Sequence, residues 1–434
     1  MSMLRLIFTA LAAATLAGCD AASVSRDEPS TSAPPQSTSD ARFDAIAAWD
    51  EFEALLRDQY AYADRFGEEA LNAQMARSRA VAAKARSKDE ARRIFHQTAL
   101  TFADPHLLVG PLDEADYAVI MTSADLDISF DNGAFLVADV RAGSSAEVAG
   151  IRSGWGVREV DGNPVDAAAR LPFGDVLPQP TGEQLAYGAT LAANGLRGRG
   201  RKLTFETVDG VRSFDLRATR EFALQVRELA PLEARRMGAR GDIGYVRFNN
   251  RLGDNATIAA FDEAISELAG TRALIIDLRN TPSGGNTDVA RSIIGHFVDE
   301  ATAYQMHTIP AVERQTGVPR RFVEYVEPRT PFYSGDIVVL HGRWTGSMGE
   351  GLVIGLDAAT EATTIGSNMG DLLGALWNGD LQISGAWVEY GGEALFHPNG
   401  SPRENYVADI PVKPADRDAS GDDPALDEAL RRLN

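Results

Sequence analysis

The stretch "RALIIDLRN", residues 272–280, limits the fold most sharply. Its apolar residues do not alternate with polar ones. A strand built from them must bury both faces, as in a parallel sheet covered by helices. "GDIVVLHGR", residues 335–343, repeats the pattern. Between them "TPSGGNTDVARSIIGHFV" reads as a glycine-containing loop entering a helix. Upstream, "GDIGYVRFNN" reads as a strand, and "NATIAAFDEAISELAG" as a helix capped by Asn255 and ended by Gly270. Strands alternating with helices predict an α/β core over residues 221–434.

The first half of the sequence reads differently. Over residues 43–111 the pattern is helical: Phe43, Ile46, Trp49, Phe52 and Leu56 recur at helical spacing. The next stretch, "EALNAQMARSRAVAAKARSKDEARRIFHQTAL", has less clean spacing and fits one helix or two. "YAVIM", "LDISF" and "GAFLVADVR" then read as strands. The expected fold class is therefore multidomain: an N-terminal helical segment, a β-rich unit over residues 112–220, and the α/β core.

The formal net charge of -20 leaves nothing to neutralise phosphates, so no nucleic-acid partner is expected. The single cysteine, Cys19, closes "LAGC" after an apolar stretch too short to span a bilayer. This resembles the bacterial lipobox, which implies a lipoprotein signal peptide over residues 1–18 and a lipid on Cys19. Asp20 resembles an inner-membrane retention signal. Residues 19–42, rich in Ser, Thr, Pro and Asp, cannot bury a core and read as a disordered tether. The expected location is the bacterial cell envelope, anchored and facing the periplasm, with the inner membrane favoured.

"AGSSAEVAGIRSGWGVREVDGNPV", residues 142–165, resembles a PDZ domain. Ser144, Ser145 and Ala146 would open its short helix, Ala149-Gly150-Ile151 would close it, and Asp161-Gly162 would turn the backbone after a strand. Trp155 stands where aspartate is usual, and an insertion surrounds "FGDVLPQPTGEQLAYGATLAANGLRGRG". PDZ domains capture polypeptide C-termini by strand addition. The plainer reading is a PDZ fold that only packs against its neighbours.

The chemistry centres on "TGSMGEGL", which joins the second apolar run to a small-residue helix. A serine there has two readings. It can be a nucleophile, since a helix N-terminus stabilises developing negative charge. It can also be an N-cap, with Glu350 completing an S-x-x-E capping box. The G-x-S-x-G motif of α/β-hydrolases is absent, because Thr345 replaces the first glycine.

"ALIIDLRNTPSGGNTDVA" followed by "DIVVLHGRWTGSMGE" resembles the C-terminal processing peptidases, or tail-specific proteases, and their tricorn-like relatives. That family also places a PDZ domain before its core. The resemblance implies an α/β core of the crotonase-like ββα type and a serine endopeptidase acting on unfolded proteins or C-terminal tails. Ser347 would be the nucleophile, and Met348 with Gly284 or Gly285 would supply the oxyanion hole.

Many such peptidases use a lysine base. Only four lysines occur in the sequence (Lys84, Lys88, Lys202 and Lys413), and Asp371 stands near the expected position. The histidine-using branch implies His106, in "TFADPHLLVG", oriented by Glu404, in "PRENYVADIPV". His341 competes as base; Glu350 and Glu393 compete as carboxylate. No metal or nucleotide cofactor is expected, since neither ligand spacing nor a P-loop is present. The expected partners are a polypeptide, held by its C-terminus at the PDZ-like unit, and a membrane reached through the lipid anchor. Two other classes remain: a peptidase-like scaffold that binds tails without cutting, and a hydrolase of small esters.

Overall fold

The computed structural model describes residues 43–434. The expectations for the signal peptide, Cys19 and the tether lie outside the described residues.

Three helices come first: α1 (Ala45–Gln59), α2 (Glu68–Ala82) and α3 (Lys88–Leu100). The stretch with unclear spacing is thus two helices. Ser87 starts the second of these by accepting the Glu90 N–H at 3.2 Å. Phe52 stacks on Phe95 with ring centroids 4.6 Å apart, and Trp49 packs edge-on to both. The same core takes in Leu381, Val388 and Tyr390 from far along the sequence. A turn carrying His106 then leads into β1 (Leu108–Gly110).

The next unit contains β2 (Leu126–Asp131), β3 (Ala134–Val140), α4 (Ser145–Val148), β4 (Gly156–Val160), β5 (Asn163–Pro164), α5 (Val165–Ala168), α6 (Gly182–Asn194), β6 (Arg201–Thr207) and β7 (Gly210–Leu216). Its sheet runs β2-β3-β4-β6-β7, with β5 on β4. Ser144 caps α4, and Asp161 and Gly162 both turn with positive φ. Trp155 packs against Phe205 and Phe214. The expected strand "YAVIM" does not form; only Tyr117 makes an isolated bridge, to Leu196. Ala118, Ile120 and Met121 are instead buried in irregular backbone, where Ile120 and Met121 join a cluster with Trp344 and Leu372. Their apolar character reflects that tertiary packing.

The insertion in this unit holds α6, which lies along the outer edge of β2. Its Thr190 and Asn194 side chains bond the backbone there. Thr190 Oγ1 accepts the Ile128 N–H at 2.9 Å, and Asn194 Oδ1 accepts those of Asp125 at 2.8 Å and Leu126 at 3.3 Å. Asn194 also donates to the Leu126 carbonyl at 2.9 Å.

The remaining sequence gives α7 (Thr219–Arg227), β8 (Leu232–Met237), β9 (Ile243–Phe248), α8 (Ala256–Glu267), β10 (Ala273–Asp277), α9 (Thr287–Ile294), β11 (Thr302–Thr308), α10 (Pro310–Thr316) and β12 (Arg321–Val326). It closes with β13 (Asp336–His341), α11 (Met348–Ala359), β14 (Thr363–Gly366), β15 (Ala375–Asp380), β16 (Trp387–Phe396), β17 (Ile410–Pro411) and α12 (Pro424–Leu433). The central sheet runs β17-β14-β13-β10-β9-β8, parallel except for β8 on β9. Leu274 and Ile276 of β10 enter one core, with residues of α8, α9 and α11. Ala273 and Ile275 enter the other, with α12. Two buried faces explain the unbroken apolar run. Asn255 does not cap α8 with its side chain; Asp254 does so, accepting the Ala256 N–H at 2.9 Å.

A further sheet, β1-β16-β11-β12 with β15 on β16, lies beside this core. It joins the turn after α3 to the late strands. The His106 segment is thereby carried to the serine end of the central sheet.

Candidate active site

Ser347 sits between β13 and α11, at the C-terminal end of a parallel strand. Its φ of 51° and ψ of -116° are not those of an ordinary N-cap, which is extended. They match the first central position of a type II′ turn, where glycine is the usual occupant. A side chain held there is strained. The sharp strand-to-helix turn of a nucleophile elbow is therefore present in geometry although its sequence motif is not.

Neighbouring backbone fixes this turn. Thr281 and Thr345 bridge in parallel, the Gly346 N–H donates to the Thr281 carbonyl at 3.2 Å, and the Thr281 N–H donates to that of Trp344 at 3.0 Å. Gly284, with φ of 62°, presses directly on the serine. A Cβ there would lie 2.5 Å from the Met348 nitrogen and would overlap Ser347 Cβ. The Gly284 N–H already donates to the Thr281 carbonyl at 3.0 Å. The N–H groups of Gly285 and Met348 have no partner among the described residues. Gly285 therefore has the uncommitted donor of the glycine pair.

Glu350, which is buried, holds two segments at once. One carboxylate oxygen accepts the Ser347 N–H at 2.7 Å and the other accepts the Asp371 N–H at 2.9 Å. Burial pushes its pKa up to about 8, against the pull of the Arg403 guanidinium at 3.4 Å. Asp371, near the place where a lysine base would stand, is a turn residue with φ of 57°. The loop 367–374 that contains it reaches both halves of the site.

His106 is buried beside that loop. Its Nδ1 lies 3.1 Å from the Leu373 carbonyl, and its N–H donates to Asp104 at 2.9 Å. A carbonyl only accepts, so this contact puts the ring proton on Nδ1 and leaves Nε2 as the basic nitrogen. Burial lowers the His106 pKa to about 4; Arg403 pushes in the same direction. Asp104 also accepts the Tyr60 hydroxyl at 2.8 Å and the Leu373 N–H at 3.2 Å, tying the histidine turn to the loop. Burial raises its pKa to about 6, against these hydrogen bonds.

Arg403 joins the two halves. It donates to the Ser347 carbonyl at 3.2 Å, to the Gly374 carbonyl at 3.4 Å, and to the Leu372 carbonyl. Leu372 and Gly374 flank the residue whose carbonyl holds His106. Glu404 follows directly, on a short helical turn (Arg403–Asn405). It lines a polar cavity of about 170 Å³ with Glu350, Asp371, Arg403 and Tyr406. Burial raises its pKa, with Arg403 and Arg65 opposing.

The 367–374 loop thus connects Ser347, through Glu350, with His106 and Glu404, while Gly284 adjoins Ser347 and Met348. No hydrogen bond joins His106 to Ser347 or to Glu404. His341 is buried at the end of β13, edge-on to Tyr406. Glu393 is bonded to His307 at 2.6 Å and forms no hydrogen bond with His106. Asp104 and Arg403 are site residues that sequence reasoning misses. Asp104 lies within the block quoted for His106, and Arg403 directly precedes Glu404.

Residues 242–412 match the model of peptidase family S41. This stretch is a peptidase family S41 domain. The protein is accordingly a serine-type peptidase, and the S41 match spans both Ser347 and Glu404. Among solved structures, mature CPAF complexed with lactacystin is similar at 15% identity and a TM-score of 0.60, covering 90% of this chain and 97% of that one. The photosystem II D1 C-terminal processing protease is similar at 16% identity and a TM-score of 0.54, covering 89% of this chain and 97% of that one. These likenesses extend the shared fold well beyond the S41 domain. No curated protein matches the sequence.

Proposed function

We propose that the protein is a membrane-anchored serine endopeptidase that cleaves unfolded proteins or C-terminal tails through Ser347, His106 and Glu404. One observation carries the reading. A serine is held in a turn suited to glycine, at a helix N-terminus, and Arg403 links it to the loop that fixes a histidine tautomer.

In the proposed reaction Ser347 Oγ attacks the peptide carbonyl while His106 Nε2 takes its proton. The N–H groups of Met348 and Gly285 receive the oxyanion. His106 then gives the proton to the leaving amine, and water hydrolyses the acyl-enzyme by the reverse relay. Leu373 fixes the imidazole, the orienting part usually taken by a carboxylate. Glu404 would stabilise the imidazolium, a contact of the kind that tightens in the substrate complex.

The PDZ-like unit would receive the substrate tail. The β2 groups that a tail would pair with are taken by Thr190 and Asn194, so recruitment there requires α6 to withdraw. The lipid anchor at Cys19 and a periplasmic location are proposed from the lipobox resemblance. Among the described residues, no helix is long and apolar enough to cross a membrane.

The test is digestion of an unfolded protein such as reduced casein by the purified protein. Wild type should yield fragments, and Ser347→Ala and His106→Ala should yield none. Equal fragmentation by Ser347→Ala would overturn the proposal.

A further inference from the structure

The edge strand β12 is written so that it complements itself. It is the last strand of the sheet β1-β16-β11-β12, so one side of its backbone faces no other strand among the described residues. Such an edge invites pairing, and native proteins normally guard it. Here Arg321, Val323 and Tyr325 of the strand, and Glu327 directly after its last residue, are all exposed. Tyr325 is 56% exposed and Val323 39%. Residues of one parity share a face of the sheet. On the opposite face Glu324 bonds Tyr304 and Val326 is buried, while Phe322 stacks on His307 with 37% of its surface still exposed. Neither Arg321 nor Glu327 forms an ion pair among the described residues.

An antiparallel strand laid against this edge on a two-fold axis through Glu324 meets its own sequence reversed. Arg321 then stands opposite Glu327 twice, and Val323 opposite Tyr325 twice. Opposite charges and aromatic–β-branched pairs are the cross-strand neighbours that stabilise a sheet. A two-fold interface requires this self-complementarity. The Glu324 carboxylates, which the axis brings together, are directed to the inner face and held by Tyr304.

We propose that β12 docks a second copy of this protein, edge to edge, making a continuous sheet across a two-fold homodimer. The inference stands apart from the peptidase reading, because none of its residues belongs to the serine site.

The experiment is sedimentation velocity on the purified protein, wild type and variants, with circular dichroism to confirm folding. Wild type should dimerise at micromolar concentration. Arg321→Glu should weaken the dimer at least about tenfold, because both symmetric pairs become repulsive. Glu327→Arg should do the same, and the double charge swap should restore association. A monomeric wild type would overturn the proposal, as would a dimer indifferent to Arg321→Glu. A monomer in which β12 cross-links to an added extended peptide would assign the edge to substrate and overturn it equally.

Discussion

Glu350 accepts the Ser347 N–H at 2.7 Å through one carboxylate oxygen and the Asp371 N–H at 2.9 Å through the other. This carboxylate is the arm of a capping box, and it also spans to the loop that holds His106. Above pH 8, where the group is ionised, replacing it by glutamine turns one acceptor into a donor facing an N–H. Glu350→Gln should therefore destabilise the protein by about 1–3 kcal/mol. It should also lower kcat/KM on an unfolded substrate by at least about tenfold, from the misplacement of reacting groups. Thermal melting and peptidase assays check the two effects separately.

Ser347 stores strain that glycine would not. Ser347→Gly should stabilise the fold by about 1 kcal/mol while abolishing activity. Ser347→Ala should abolish activity without that gain. Denaturant melts of the two variants decide the point, since an ordinary surface cap would lose stability in both.

Gly284 has no room for a methyl group against Ser347 and Met348. Gly284→Ala should cost about 1–3 kcal/mol from overpacking, beyond the strain of its positive φ. Its activity should fall more steeply than its stability, because the displaced atoms belong to the turn that carries the proposed nucleophile. Comparing residual kcat/KM with the fraction folded tests this.

Arg403 is a buried guanidinium serving the carbonyls of Ser347, Leu372 and Gly374 together with Glu350. Arg403→Met leaves those groups uncompensated and should cost about 3–5 kcal/mol. Arg403→Lys should rescue little, since an ammonium lacks the planar fork that reaches several acceptors.

The α/β core was legible in the sequence because burial on both faces leaves an unbroken apolar run, as Leu274–Ile276 and their neighbours show. The serine turn was only half legible. Its strained dihedrals come from Thr281, Pro282 and Gly284, some 65 residues upstream by count along the sequence, and no local motif records them. The "YAVIM" strand failed because a buried irregular turn and a strand share the same apolar signature. Arg403 and Leu373 were not legible because they act through main-chain carbonyls, and carbonyls leave no trace in side-chain patterns.

The low pKa of His106 sets a pH signature. Its folded value is about 4, below the ordinary histidine value of about 6.5. Between these limits the unfolded state binds the extra proton, so His106 contributes stability above pH 6.5 that is lost as pH falls toward 4. The Asp104 carboxyl, raised to about 6, has the opposite slope over part of that window. The readout is therefore the difference between wild type and His106→Gln, which should grow by about 3 kcal/mol from pH 4 to pH 7. Activity of the free enzyme should likewise keep its acid limb near pH 4 rather than near 6.5.

The most direct test of the central claim is labelling with a fluorophosphonate probe, followed by mass spectrometry of the digested adduct. The account predicts one adduct, on the Ser347 hydroxyl, lost in Ser347→Ala and strongly slowed in His106→Ala with the fold intact. A folded wild type that takes no label, or one labelled on another residue, would contradict it and leave the site a peptidase-like scaffold.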